Sequence, residues 1–237
     1  MKMANDPIDD LQTMMKEVAE SIFPTSVVDT ELKNHIKAVR ESIEKDKLTS
    51  FLPRIALTCK HGTEAGMCIM PIPQMPDENS KKQHLMKMLG IAASANDLYV
   101  MNAIFIVEAW SRASNGDDPE TKKLMSGEKR VSDMPDKQEI IMLTSMTMDK
   151  RSALATIPIT GRNSDDSLIL GPESFHGNDS ETKVKDSLLT AFWEGFLLAE
   201  GTKIAAKMID ARGEELPPDV IKMLELMESA PKLKKIV

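Results

Sequence analysis

The sequence predicts an α+β fold: a sheet of about five strands, antiparallel or mixed (a β-β-α-β-β-β core), with N-terminal helices and a long C-terminal helical segment. Three observations carry that expectation. Residues 98–110 are nearly uncharged and apolar on both parities, as in a strand covered on both faces. Residues 140–148 and 152–160 alternate around Asp149-Lys150-Arg151, the pattern of a hairpin. Residues 181–211 carry apolar side chains at helical spacing over a face too wide to stand in water.

The elements follow in order. Asp6-Pro7 starts a helix over residues 7–22, with Ile8, Leu11, Met15, Val18 and Ile22 on one face and Pro24 ending it. A second helix covers 31–45, capped by Asp29 or Thr30, with Leu32, Ile36, Val39 and Ile43 as its stripe. His35 lies beside that stripe and reads as a boundary residue. Residues 54–72 form a hairpin turning at His61-Gly62-Thr63-Glu64-Ala65-Gly66, and Pro71, Pro73 and Pro76 stop it. A helix from Asp77 or Asn79 to Ala95 buries Leu85, Met88, Leu89 and Ala92. In the central strand, Leu98, Val100, Ile104 and Ile106 point one way, and Tyr99, Met101, Ala103, Phe105 and Val107 the other. Glu108 and Trp110 share the parity of Ile106.

Residues 111–138 exceed the length of about 12–15 residues usual for a loop without structure of its own, and a short helix is expected at 119–125. Pro158 cannot donate to a ladder, so the second hairpin strand is an edge there or is ending. Residues 161–179 form a polar loop that includes a short strand at 168–170. Asp179 or Ser180 caps the helix over 181–211, whose face is Val184, Leu188, Leu189, Phe192, Trp193, Phe196, Leu197, Ile204, Ala205 and Met208. Gly195 and Gly201 mark close packing or a break, and Gly213 is the C-terminal cap. Pro217-Pro218 opens a last helix with Val220, Ile221, Leu224 and Met227 on one side, and the basic tail 232–237 reads as a solvated end. The chain divides into an N-terminal helical segment (1–50), an α+β core (51–175) and C-terminal helices packed on it (176–237), a single domain overall.

Composition narrows the function classes. A net charge of −7 and 4% aromatic residues argue against an extended nucleic-acid surface. No apolar run approaches the roughly 18–20 residues of a membrane span, and the acidic start does not read as a signal peptide, so a cytoplasmic protein is expected. Eighteen methionines read chiefly as adaptable core filling, with a plastic partner surface as the alternative. Cys59, His61 and Cys68 are close in sequence, but structural zinc needs a fourth ligand, and His84 and His176 lie far along the chain. Two inert thiols are the simpler reading, and no cofactor is expected.

Chemistry concentrates where the long connection leaves and rejoins the sheet. If the strands ending at Trp110 and starting at Glu139 are antiparallel neighbours, then Glu108, Trp110, Arg112, Asp133, Asp136, Lys137 and Glu139 gather at one edge. Glu108 with Asp136 or Glu139 would be a carboxylate pair, able to hold a divalent cation or to divide acid and base roles. Alternatively Glu108 pairs with Arg112, Arg130 or Lys137 to anchor the loop, with Trp110 packed beneath it. The glycine-rich phosphate loop, the G-x-G-x-x-G turn, the nucleophile elbow and the H-E-x-x-H zinc motif are all absent.

The run Val107-Glu108-Ala109-Trp110, followed by Ser132-x-x-Pro135-Asp136-Lys137-x-Glu139 and a hairpin, resembles a group of uncharacterised bacterial and phage proteins with an E-A-W and P-D-R-x-E pattern. Lys137 stands where that pattern has Arg, and the resemblance implies that the edge matters without naming its chemistry. The β-β-α-β-β-β order is also similar to the arrangement of roadblock- and profilin-like domains, which implies a fold only. The leading expectation is a non-enzymatic module that binds a protein or small ligand and forms a homo-oligomer through its C-terminal helices. The alternative is a metal-assisted hydrolase or nuclease using Glu108, Asp136 and Glu139.

Overall fold

The computed structural model describes residues 24–61, 64–112, 119–126, 129–177, 186–233 and 235–236, and the helix expected over 7–22 lies outside them. The fold is α+β. In chain order it comprises α1 (Thr25–Asp46), β1 (Arg54–His61), β2 (Glu64–Pro71), α2 (Asn79–Ala95), β3 (Tyr99–Ser111) and α3 (Pro119–Ser126). Then come β4 (Gln138–Thr147), β5 (Ser152–Arg162), β6 (Leu168–Leu170), β7 (Ser174–His176), α4 (Ser187–Asp210), α5 (Pro218–Glu228) and β8 (Lys235–Ile236). The strands lie in the order β6-β5-β4-β3-β1-β2-β8, with β7 also on β5, and every pairing is antiparallel. Among the described residues the sheet therefore has eight strands rather than about five, the additions being short.

Helix α1 begins two turns earlier than its polar caps suggest. Val28 extends the Leu32–Ile36 stripe by one turn and is fully buried, so burial carries the helix back to Pro24 in place of a side-chain cap. Its stripe covers one face of the sheet over Ile104, Ile106, Ile141, Ala155 and Ile157. The opposite face, with Ile55, Leu57, Met70 and Phe105, is covered by α2 and α4 through Met86, Leu189, Phe192 and Phe196. Strand β3 is thus coated on both sides, as its double-sided sequence requires.

One parity expectation fails. Thr58 faces Asn102 but Cys59 faces Val100, so Met101 is an extra residue in β3. This bulge sends Val100 to the side of Ala103 and Phe105, while Met101 packs against Val28. Strand β5 does not end at Pro158, and there its outer side is left without a ladder partner among the described residues, as the missing N–H requires. Its outer side carries β7 at residues 154–156 and β6 at 159–162, and the ladder breaks between them where a proline cannot donate. The Pro158 carbonyl still accepts from the Gly171 N–H at 2.8 Å.

The C-terminal half departs further. Helix α4 is capped by Asp186, whose Oδ1 accepts from the Leu188 and Leu189 N–H groups at 2.8 and 3.0 Å, and the caps expected at Asp179 or Ser180 lie outside the described residues. Gly90 and Gly195 let α2 and α4 touch backbone to backbone. An added Cβ at either would lie 2.0 Å from a carbonyl oxygen of the other helix, that of Phe192 or of Lys87. An added Cβ at Gly201 would meet nothing within 4 Å, so that glycine marks neither close packing within the chain nor a break. Gly213, at φ +69°, closes α4 with its N–H on the Asp210 carbonyl and that of Glu214 on Ile209, the paired bonds of a Schellman turn. Helix α5 buries Met227, with Met223 and Leu226 half-buried, and leaves Ile221 42% exposed, because its contacts are Ile91 and Ala199 on α2 and α4. The tail is not a solvated end. Asn96 accepts from the Leu233 N–H at 2.9 Å, donates to the Pro231 carbonyl at 3.0 Å, and so directs β8 onto the edge of β2.

Candidate functional site

Strands β3 and β4 are antiparallel neighbours with Trp110 opposite Glu139, so the long connection does join adjacent strand ends. Glu108, Trp110 and Glu139 share the α1 side of the sheet, with Ile141 next along it. The structure brings the expected residues to one edge, but with partners other than those anticipated.

Glu108 does not pair with Arg112, Arg130 or Lys137. Its Oε2 accepts from the backbone N–H of buried Phe51 at 2.9 Å, so it holds the α1–β1 connection against the sheet. Burial first, then the neighbouring Glu108 carboxyl, raise the Glu139 carboxyl above its ordinary 4.5, against the pull of Arg162. Arg162 reaches Glu139 at 3.4 Å and the Thr49 carbonyl at 2.6 Å, tying the same connection to β5. A carboxyl pair therefore exists, made by Glu108 and Glu139.

Asp136 stands apart from it. Arg112 Nε donates to both its oxygens, at 2.8 and 2.7 Å, and the Arg112 side chain is only 13% exposed. Lys137 lies 4.6 Å from the centroid of the Trp110 ring and donates to the Ser132 carbonyl, which places the ammonium by a cation–π contact. Trp110 is 44% exposed and forms the outer surface under Lys137, not a plug beneath the loop. Asp133 accepts from the Arg130 N–H at 3.3 Å and caps the 3-10 turn Val131–Asp133. Among the described residues, no three of His, Cys, Asp and Glu are grouped to hold a metal ion. Cys59 and Cys68 are buried in the core shared with α2 and α4, and burial raises the Cys68 thiol.

A second polar cluster lies beneath α1, drawn from single residues scattered along the sequence. Glu31 Oε2 accepts from Thr58 Oγ1 and, at 3.3 Å, from Asn102 Nδ2, while Ser145 Oγ donates to Asn102 Oδ1 at 2.9 Å. Asn102 and Ser145 are fully buried. Burial raises the Glu31 carboxyl above its usual value, and its two hydrogen bonds offset part of that. His35 is no boundary residue: it is 7% exposed, and burial, then the charge of Arg54, lower it to about 4. The available signal was Asn102, a lone amide inside an otherwise apolar double-sided strand, where burial demands a polar partner.

A third feature is the second half of α4. Leu197, Ile204 and Met208 are 47, 58 and 53% exposed and recur with Gly201 at helical spacing, opposite the buried Phe192, Phe196 and Ala199. Lys203 fixes this half to α2, donating to the Ser94 carbonyl at 2.6 Å and to Asp97 and Glu200 at 3.0 Å. No helix is long and apolar enough to cross a membrane among the described residues. No protein-family model matches the chain, and neither a curated protein nor a solved structure matches it.

Proposed function

We propose that the protein is a non-enzymatic binding module that self-associates through its C-terminal helices. One observation carries the reading: the exposed stripe of Leu197, Gly201, Ile204 and Met208 on a helix whose other side is already packed. A second copy is the occupant that the stripe favours. Its centre is a glycine with open space around it, and this fold already uses Gly90 and Gly195 to bring two helices into backbone contact. A two-fold crossing at Gly201 lays the apolar residues of one copy on those of the other, an isologous contact. The mouth supports a non-enzymatic reading, since Arg112, Asp136, Lys137 and Glu108 each engage another group of the chain.

Size-exclusion chromatography with light scattering on the full chain tests this. A dimer is expected, and Ile204→Asp should yield a monomer. Gly201→Leu should do the same while the monomer stays folded, because a Cβ there meets nothing within 4 Å among the described residues. A monomeric wild-type protein at all concentrations up to those of an ordinary dimer assay would remove the self-association.

A further inference from the structure

On the other face of the sheet from the C-terminal stripe, a polar hollow lies beside α1. A cavity of about 270 Å³ opens between α1 and the β1–β2 hairpin, lined by Glu31, Asn34, His35, Thr58, Gly66 and Met67. Among the described residues neither ring nitrogen of His35 has a hydrogen-bond partner, although the side chain is more than nine-tenths buried. Glu31 satisfies Oε2 through Thr58 and Asn102, while Oε1 has no partner among the same residues. The free nitrogens of His35 and the free oxygen of Glu31 are thus open to whatever enters the cavity.

The wall is also fixed in place. Glu31 and His35 are four residues apart on α1 and so lie one above the other. Glu31 is clamped by Thr58 and Asn102, which face each other at the step where the Met101 bulge interrupts the β1–β3 register. Bulges re-aim side chains in this way beside sites, and Ser145 locks Asn102 from β4. A first set of groups held by a second is the construction of a ligand site.

We infer that this cavity binds a small primary amine with a compact apolar body. An ammonium carries three N–H donors, and the lining offers three acceptors: Glu31 Oε1, a ring nitrogen of His35 and the Asn34 carbonyl oxygen. His35 is neutral at physiological pH, so it accepts from the ammonium and does not repel it. Glu31 is the one charged residue among the described residues of the lining, and its carboxylate favours a cation. Arg54, whose charge His35 senses, is held over the Phe51 ring at 4.6 Å and does not line the cavity. Met67, 38% exposed, and the side-chain-free Gly66 supply the surface for the apolar part.

The test is a titration of the full chain followed by the imidazole C–H resonances, with His35 assigned by its loss in His35→Gln. The probes are benzylamine, benzyl alcohol, benzoate and Zn²⁺. Benzylamine is expected to shift the His35 signal saturably, benzyl alcohol and benzoate to leave it, and Glu31→Gln to weaken benzylamine by about tenfold or more. Asn34→Ala, at an exposed position outside the Glu31 clamp, should weaken it with the fold intact. Equal response to benzylamine and benzyl alcohol would show apolar filling without recognition of charge and would overturn the assignment. A His35 response to Zn²⁺ alone would make the Glu31–His35 pair a metal site and overturn it equally. The result does not depend on the oligomeric state, so failure here and failure of self-association are separate.

Discussion

At the mouth of the sheet, acids and bases meet one another. Arg112 grips Asp136, Arg162 bridges Glu139 to the Thr49 carbonyl, Lys137 rests on Trp110, and Glu108 takes the Phe51 N–H. Beneath α1, His35 is buried and Glu31 half-buried, and one oxygen of Glu31 and both nitrogens of His35 make no hydrogen bond among the described residues. The mouth draws its residues from two dense runs, 108–112 and 133–139, so it dominates the sequence. The cavity takes single residues from α1, β1, β3 and β4, and none is conspicuous alone. The contrast teaches that charge bunched along a chain marks a place to be held as readily as a place to bind. Unmet hydrogen bonding in a buried setting is the more specific mark of a ligand.

The largest test of this contrast is acid. His35 has an ordinary value of 6.5 and a folded value of about 4, so the unfolded chain takes up the proton first. Stability tied to His35 is therefore complete above 6.5 and lost as pH falls from 6.5 toward 4, a loss of roughly 3 kcal/mol. In denaturant unfolding at neutral pH and near pH 4, His35→Gln should lack that share of the acid destabilisation. Equal acid loss in both proteins would mean that His35 is solvated and that the cavity is no closed site. Next comes the mouth. Glu108→Ala strips the acceptor from the buried Phe51 N–H and should cost about 2 kcal/mol, with faster amide exchange at Phe51. Glu108→Gln keeps an acceptor and should cost less. An alanine variant as stable as wild type would show that Glu108 anchors nothing.

The legible parts of the fold were those governed by local period. Strand β3, the β4–β5 hairpin and the start and end of α2 follow from alternation, turn residues and prolines. What escaped depends on distant partners. The bulge at Met101 needs Val28 to receive its side chain, and β8 needs Asn96 to aim it at β2. Helix α2 turns Leu85, Met88, Leu89 and Ala92 to the core as its period predicts, Ala92 buried and the other three half-buried. It also buries Met86, Gly90, Ile91, Ala93 and Ser94, because the sheet, α4 and α5 crowd it from several directions. At the mouth the residues were legible but their partners were not, since the Phe51 N–H and Arg162 come from segments remote from both charged runs.

The smallest effect is the sharpest probe of the carboxyl pair. Glu139 is raised above 4.5, so the folded protein holds this proton more tightly than the unfolded chain does. Its contribution to stability therefore improves as pH falls through the raised value toward 4.5, opposite in sign to that of His35. Glu139→Gln makes this neutral form permanent. The amide can donate to Glu108 while its oxygen still accepts from Arg162. At neutral pH the variant should gain up to about 1 kcal/mol, and the gain should vanish on acidification as wild type acquires the same relief by protonation. A variant less stable than wild type at neutral pH would mean that the Arg162 ion pair outweighs the repulsion between the carboxyls. Glu139 would then be an ionised strut, and the mouth would hold its charges by pairing alone.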